Sequence, residues 1–151
     1  MNKNVLIGGA WPYANNSLHI GHVAGLISGD VIARYHRQIG NNVLYVSGTD
    51  CHGTPITIRA KKENKTPKEI AEFYHNEFVK SFKAAGFEYD LYLATMYDVH
   101  KEYVMDFFKK MYDNGYMYEK EVDQDYCEKC GAFLSDREIV GTCPHCGGES
   151  T

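Results

Sequence analysis

The 151-residue sequence is 44% hydrophobic, enough for one ordinary globular domain with a core of its own. A formal net charge of −4 gives no global positive field to draw in nucleic acid, so any such contact needs a local patch. No apolar run approaches the roughly 20 residues that span a bilayer, and the start of the chain leads into a strand pattern without a signal-peptide core, which points to a cytoplasmic protein with no membrane partner.

Val5, Leu6 and Ile7 form a short β-branched run ended by Gly8 and Gly9, the pattern of a buried parallel strand. Leu18, Val23, Leu26, Ile27, Val31 and Tyr35 then recur at helical spacing as far as Ile39, with Ser17 as the expected N-cap and Gly40 at the C-terminal end. Between strand and helix lies Trp11-Pro12-Tyr13-Ala14-Asn15-Asn16-Ser17-Leu18-His19-Ile20-Gly21-His22. The first N–H groups of a helix lack intrahelical partners and sit at the positive end of its dipole, so they suit a phosphate. His19 and His22 share one face of that turn and add side-chain donors to the same anion, and Gly21 between them leaves room for a flat group against the backbone.

Val43 to Val46 is a second short strand ending at Ser47-Gly48, and the strand-helix-strand unit predicts a parallel crossover and a doubly wound α/β sheet. In such sheets ligands collect beyond the carboxyl ends of the strands, where this one runs into Thr49-Asp50-Cys51-His52-Gly53. A carboxylate there, at Asp50, is placed to pair with an ammonium; the alternative is a cap for the next segment. Lys61, Lys62, Lys65 and Lys68 read as a solvated basic surface. Thr66-Pro67-Lys68-Glu69 is a capping box with proline at the first helical position, and Ile70, Phe73, Tyr74, Phe78 and Phe82 fall on one core-facing stripe until Gly86.

A third strand is expected within Asp90 to Thr95, then a helix capped by Asp98 that buries Tyr103, Phe107, Met111 and Tyr112 and closes at Gly115. The character changes near residue 116, dividing the chain into 1–116 and 117–151. Met117-Tyr118 and Val122 to Tyr126 alternate like strands of a small sheet. Cys127 and Cys130, then Cys143 and Cys146, form two Cys-x-x-Cys pairs twelve residues apart, each followed by glycine. Four thiolates at that spacing predict a closed, structural tetrahedral Zn2+ site, with His145 left outside a filled shell and Cys51 isolated.

His19-Ile20-Gly21-His22 resembles the signature tetrapeptide of class I aminoacyl-tRNA synthetases, and Ala10-Trp11-Pro12-Tyr13-Ala14-Asn15 resembles the methionyl-tRNA synthetase version of its context. The stretch Ser47 to Pro55 is similar to that family too, and the cysteine segment matches the start of its zinc-binding insertion. The resemblance implies the first half of a Rossmann-like, HUP-type sheet followed by that insertion. It implies an enzyme that activates methionine with ATP and Mg2+ and transfers it to tRNA(Met). His19 and His22 would hold phosphates and the transition state, and Gly21 the adenine. Ala10, Trp11, Tyr13 and Asp50 would line the methionine pocket, with His52 a further substrate-site candidate.

The 151 residues contain no Lys-Met-Ser-Lys-Ser-like loop and no second strand-helix-strand half. The reading is therefore a fragment of a longer enzyme or a truncated relative, with a bare sheet edge that favours self-association or a complementary half-protein. Two other readings are open: a small nucleotidyltransferase of the cytidylyltransferase type, and a non-catalytic binding module with a vestigial nucleotide site.

Overall fold

The computed structural model describes residues 2–134, 143 and 146–148. The elements in order are β1 (Asn4–Gly8), α1 (Ile20–Gln38), β2 (Asn42–Thr49), α2 (Thr54–Glu63), α3 (Pro67–Ala84), β3 (Leu91–Ala94), α4 (Asp98–Asp113), β4 (Tyr126–Cys127) and β5 (Ala132–Phe133). They fall into two compact units, Met1–Phe107 and Phe108–Thr151.

In the first unit β1, β2 and β3 form a parallel sheet in that order. The register aligns Leu6 with Leu44, Ile7 with Tyr45, and Ser47 with Tyr92. Because side chains alternate along a strand, Tyr45, Ser47, Thr49 and Tyr92 share one face. Helices α1 and α3 cover it. Tyr45 donates its hydroxyl to the Leu26 carbonyl of α1, and Tyr92 packs against Phe82 of α3 with ring centres 5.5 Å apart. On the opposite face, away from the strand ends, Leu6 is 71% and Leu44 50% exposed.

Helix α1 places Leu26, Asp30 and Ala33 inside, at i, i+4 and i+7. Ile27, Val31 and Tyr35, expected in the same stripe, face outward. A buried aspartate needs partners, and Asp30 has them: it accepts from Arg34 Nε at 2.6 Å and from the Glu88 N–H at 2.8 Å. Asp90 is similarly bound, accepting from the Tyr45 N–H at 2.6 Å and from Arg37 at 2.8 Å. These carboxylates tie α1 and β2 to the chain entering β3. The helix ends in a Schellman turn, with Gly40 at φ +81° donating to the Arg37 carbonyl and Asn41 donating to that of His36.

Helix α2 has no counterpart in the sequence reading. Thr54, Ile56, Thr57 and Ile58 are β-branched and argue against a helix, yet Ile56 and Ala60, one turn apart, are buried and decide the matter. Helix α3 follows its capping box as expected, burying Ile70, Ala71, Tyr74, His75, Phe78 and Phe82, while Phe73 is turned out.

Helix α4 has Asp98 as its first residue rather than its cap, the His100 and Lys101 N–H groups donating to the Tyr97 carbonyl, and it buries none of its residues; Tyr103, Phe107 and Tyr112 are 73%, 66% and 62% exposed. The apolar stripe is present and stands exposed among the described residues. In the second unit, residues 117–125 are not strands. The only regular pairing there among the described residues joins Tyr126 to Phe133 and Cys127 to Ala132, antiparallel.

Thr66 accepts from the Glu69 N–H while Glu69 accepts from the Thr66 N–H and hydroxyl. Thr66→Ala is expected to cost about 1 kcal/mol of stability, measured by denaturant unfolding, with no change in helix content of the folded state.

Candidate active site

The carboxyl ends of β1 and β2 are stitched together past the regular strands. Gly9 donates to the Val46 carbonyl at 2.8 Å, Asp50 to that of Pro12 at 2.9 Å, and Ala14 to that of Asp50 at 2.9 Å. Tyr13 and Asp50 therefore form a parallel bridge, and the two motif-bearing loops lie side by side. Trp11 folds over Gly48: a Cβ there would collide with the indole ring and with the Leu93 carbonyl, so only glycine allows this closeness.

Helix α1 begins one step beyond the histidine expected inside its first turn. His19, not Ser17, is the N-cap, extended at φ −129°. Its Nδ1 accepts from the Gly21 N–H at 3.1 Å, and His22 Nδ1 accepts from the His19 N–H at 3.1 Å, a capping box built from two imidazoles. Ser17 fails as the cap because the histidines satisfy the same orphan donors two residues later. With both Nδ1 atoms engaged as acceptors, each neutral ring carries its proton on Nε2. The Nε2–H groups are the donors left for a ligand. The rings lie 3.9 Å apart, and a Cβ on Gly21 would meet the His19 ring at 2.9 Å, so the glycine accommodates the cap itself.

A cleft of about 390 Å3 is lined by Trp11, Pro12, Tyr13, Asn15, Asn16, Ser17, His19 and His22. It gathers four of the residues singled out from sequence: Trp11, Tyr13, His19 and His22. Ala10, Gly21, Asp50 and His52 are not on its lining. Ala10 accepts from the Ser47 hydroxyl at 3.1 Å. By strand alternation Asp50 faces the same side as Gly48, the side Trp11 covers, and its Oδ1 accepts from the His52 N–H at 3.2 Å. His52 instead lines a separate cavity of about 440 Å3 with Cys51, Pro67, Lys68, Met96, Tyr97 and Lys101 among its walls. The lysines there are paired, Lys68 with Glu72 and Lys101 with Asp98.

In the second unit the sulfurs of Cys127, Cys130, Cys143 and Cys146 lie within 4.8 Å of one another. Cys127 and Cys146 are 3.6 Å apart, and Cys130 and Cys143 3.8 Å. A tetrahedron of sulfurs about 2.3 Å from a central zinc has edges of about 3.8 Å, so the donor set fits such an ion. The Cys130 thiol is pushed up to about 12 by the adjacent Cys146 sulfur and by burial. His145 lies outside the described residues.

The residue that the sequence reading missed is His75. It is buried on α3, its Nδ1 2.9 Å from Thr49 Oγ1. The helical stripe around it is apolar, and a polar residue within that stripe carries no sequence signal of its own.

This geometry, two motif loops joined at the tips of parallel strands with a histidine pair opening the helix between them, accords with the comparisons. Residues 5–151 match the family model of class I tRNA synthetases (M), and the chain belongs to that family. It is 60% identical over 143 residues to methionine-tRNA ligase 1 of Alkaliphilus oremlandii, covering 95% of this chain and 26% of that protein. It is 56% identical over 147 residues to the methionine-tRNA ligase of Streptococcus pneumoniae strain CGSP14, covering 97% and 27%. The chain thus spans about a quarter of the length of these relatives. Among solved structures, the Agrobacterium radiobacter K84 agnB2 LeuRS, in a ternary complex with tRNA and LeuAMS, superposes with a TM-score of 0.79 at 24% identity, over 99% of this chain and 19% of that one, and shows the shared fold. Among the described residues no helix is long and apolar enough to cross a membrane.

Two imidazoles are held below their ordinary value of 6.5, His22 by burial and then by neighbouring His19, His75 by burial. Between the folded and unfolded values the unfolded chain binds more protons, so stability rises with pH there. The contribution is complete above 6.5 and is lost as pH falls through the folded values. The melting temperature is expected to drop between about pH 7.5 and about pH 5, above the range where carboxylates titrate; a flat profile across that window would contradict this.

Proposed function

We propose that this chain is the part of a methionine-tRNA ligase that holds ATP and methionine for adenylate formation. In that reaction the methionine carboxylate attacks the α-phosphorus of ATP, pyrophosphate leaves, and the methionyl group then passes to the terminal ribose of tRNA(Met). The protein forms no covalent bond in this scheme, so rate comes from positioning and from donors aimed at phosphate oxygens. The observation that carries the reading is the pair of histidines locked as Nε2–H donors at a helix start on the wall of a cleft.

His19 and His22 donate to the phosphates, with Mg2+ accompanying ATP and the Gly21 backbone against the adenine. Trp11 and Tyr13, with Ala10 behind them, offer apolar area to a thioether, and Asp50 receives the ammonium. His52 neighbours the substrate through the Asp50 turn. Cys127, Cys130, Cys143 and Cys146 hold Zn2+, which supplies structure to a short segment with little core of its own.

The exposed sheet leucines support a requirement for more protein. Leu6 and Leu44 mark the surface on which a complementary half-protein or a second copy would sit. The isolated chain accordingly binds ATP weakly and does not charge tRNA.

Trp11 is the single tryptophan and lines the cleft, so its fluorescence reports binding. His19→Asn and His22→Gln keep a cap acceptor while displacing the far donor. Each is expected to weaken ATP about tenfold with the melting temperature nearly unchanged. Unchanged ATP affinity in both variants would remove the phosphate role. Metal analysis after purification under reducing conditions is expected to find about one zinc per chain, lost in Cys130→Ser; a content well below that would rule the site out.

A further inference from the structure

The helix α3 stripe is apolar at Ile70, Ala71, Tyr74, Phe78 and Phe82, and a buried imidazole among them costs free energy unless it is bonded. His75 is bonded, and its partner is the last residue of β2. Thr49 Oγ1 lies 2.9 Å from His75 Nδ1 and donates to the Tyr92 hydroxyl at 3.2 Å. The His75 Nδ1–H is thereby the donor to Thr49. The ring is stacked on Tyr92 with an interplanar angle of 14° and meets Tyr97 edge-on at 84°.

We propose that His75 is a positioning residue for the amino-acid side of this site: by holding Thr49 against the helix layer it aims Asp50 at the substrate without touching it. The inference rests on the assignment of Asp50 to the ammonium. Consecutive strand residues point to opposite faces, so fixing Thr49 on the covered face fixes Asp50 on the side where Trp11 lies over Gly48. The backbone around them is braced in the same way. Asp50 N–H is bound to Pro12, Cys51 N–H donates to Thr95 Oγ1 at 2.8 Å, and Thr95 N–H donates to the Thr49 carbonyl at 3.1 Å. These bonds set the path of the chain, and the His75 bond sets the rotation of its tip. The histidine pair on α1 lies on a different loop and is bonded within its own turn, so the effect is confined to the amino acid.

The test uses the 151-residue chain. His75→Phe keeps a ring for the stack with Tyr92 but leaves Thr49 without its partner on α3, bonded only to Tyr92; His75→Asn restores a polar group at the Nδ1 position; Thr49→Val removes the His75 bond together with the Tyr92 one, with little change of shape. His75→Phe and Thr49→Val are expected to speed amide exchange at Asp50 and Cys51 about tenfold and to weaken methionine about tenfold, with ATP changed less than about twofold. His75→Asn is expected to recover most of both effects. The proposal is overturned if exchange at Asp50 is unmoved, if ATP weakens as much as methionine, or if His75→Asn is no better than His75→Phe. If His75→Phe does not fold, Thr49→Val decides. If the unaltered chain binds neither methionine nor ATP, it is the ligand assignment that fails, and exchange at Asp50 alone decides whether His75 holds the strand tip.

Discussion

Two adjacent parallel strands must finish at the same edge of their sheet, and the rest of this molecule follows from that constraint. β1 and β2 pair from Asn4 with Asn42 to Gly8 with Val46, and the pairing is carried on as far as the bridge between Tyr13 and Asp50. The loop that opens α1 and the loop that follows β2 therefore meet through the backbone, whatever their side chains. Gly48 then lets Trp11 settle on the strand tip, and the histidine cap fixes where α1 begins. Chemistry is added to a junction that hydrogen bonds of the main chain already define.

The junction is supported from one side. α1 and α3 both pack on the face that carries Tyr45, Ser47, Thr49 and Tyr92, so this half of the fold is two layers deep. Three buried polar groups of that interface have partners, Asp30 in Arg34 and Glu88, Thr49 in His75 and Tyr92, and Ser47 in Ala10, whereas the buried Tyr89 hydroxyl makes no hydrogen bond among the described residues. Each of the three links two elements distant in sequence, which is how a buried polar group specifies a unique arrangement where apolar packing alone would tolerate several.

Much of this was legible because it is local. The parallel strands, the start of α3 and the glycine stops at Gly40, Gly86 and Gly115 follow from propensity, capping and a φ that favours glycine, near +80° at Gly40 and Gly86. The histidine pair was legible as a helix start; its role as the cap was not, since Ser17 is the commoner capping residue and only coordinates show which acceptor reaches the free N–H groups. α2 was hidden by its β-branched residues, whose helical state is decided by burial of Ile56 and Ala60. The stripe on α4 was read correctly as apolar and wrongly as buried, because periodicity reports a preference for a partner and not its presence. His75 and Asp30 were invisible for the opposite reason: polar residues at interior positions are revealed only by partners far along the chain.

The one-sided layering has a further consequence for the order of events during folding. Each crossover, from Asn4 to Asn42 and from Val46 to Leu91, closes by bringing its own helices down on the strands it joins. The covered layer can form from neighbouring segments alone, without waiting for anything on the other face. Since the cost of closing a loop grows only slowly with its length, the slow and error-prone stage lies elsewhere. It concerns the other face, where Leu6 and Leu44 stand in water throughout.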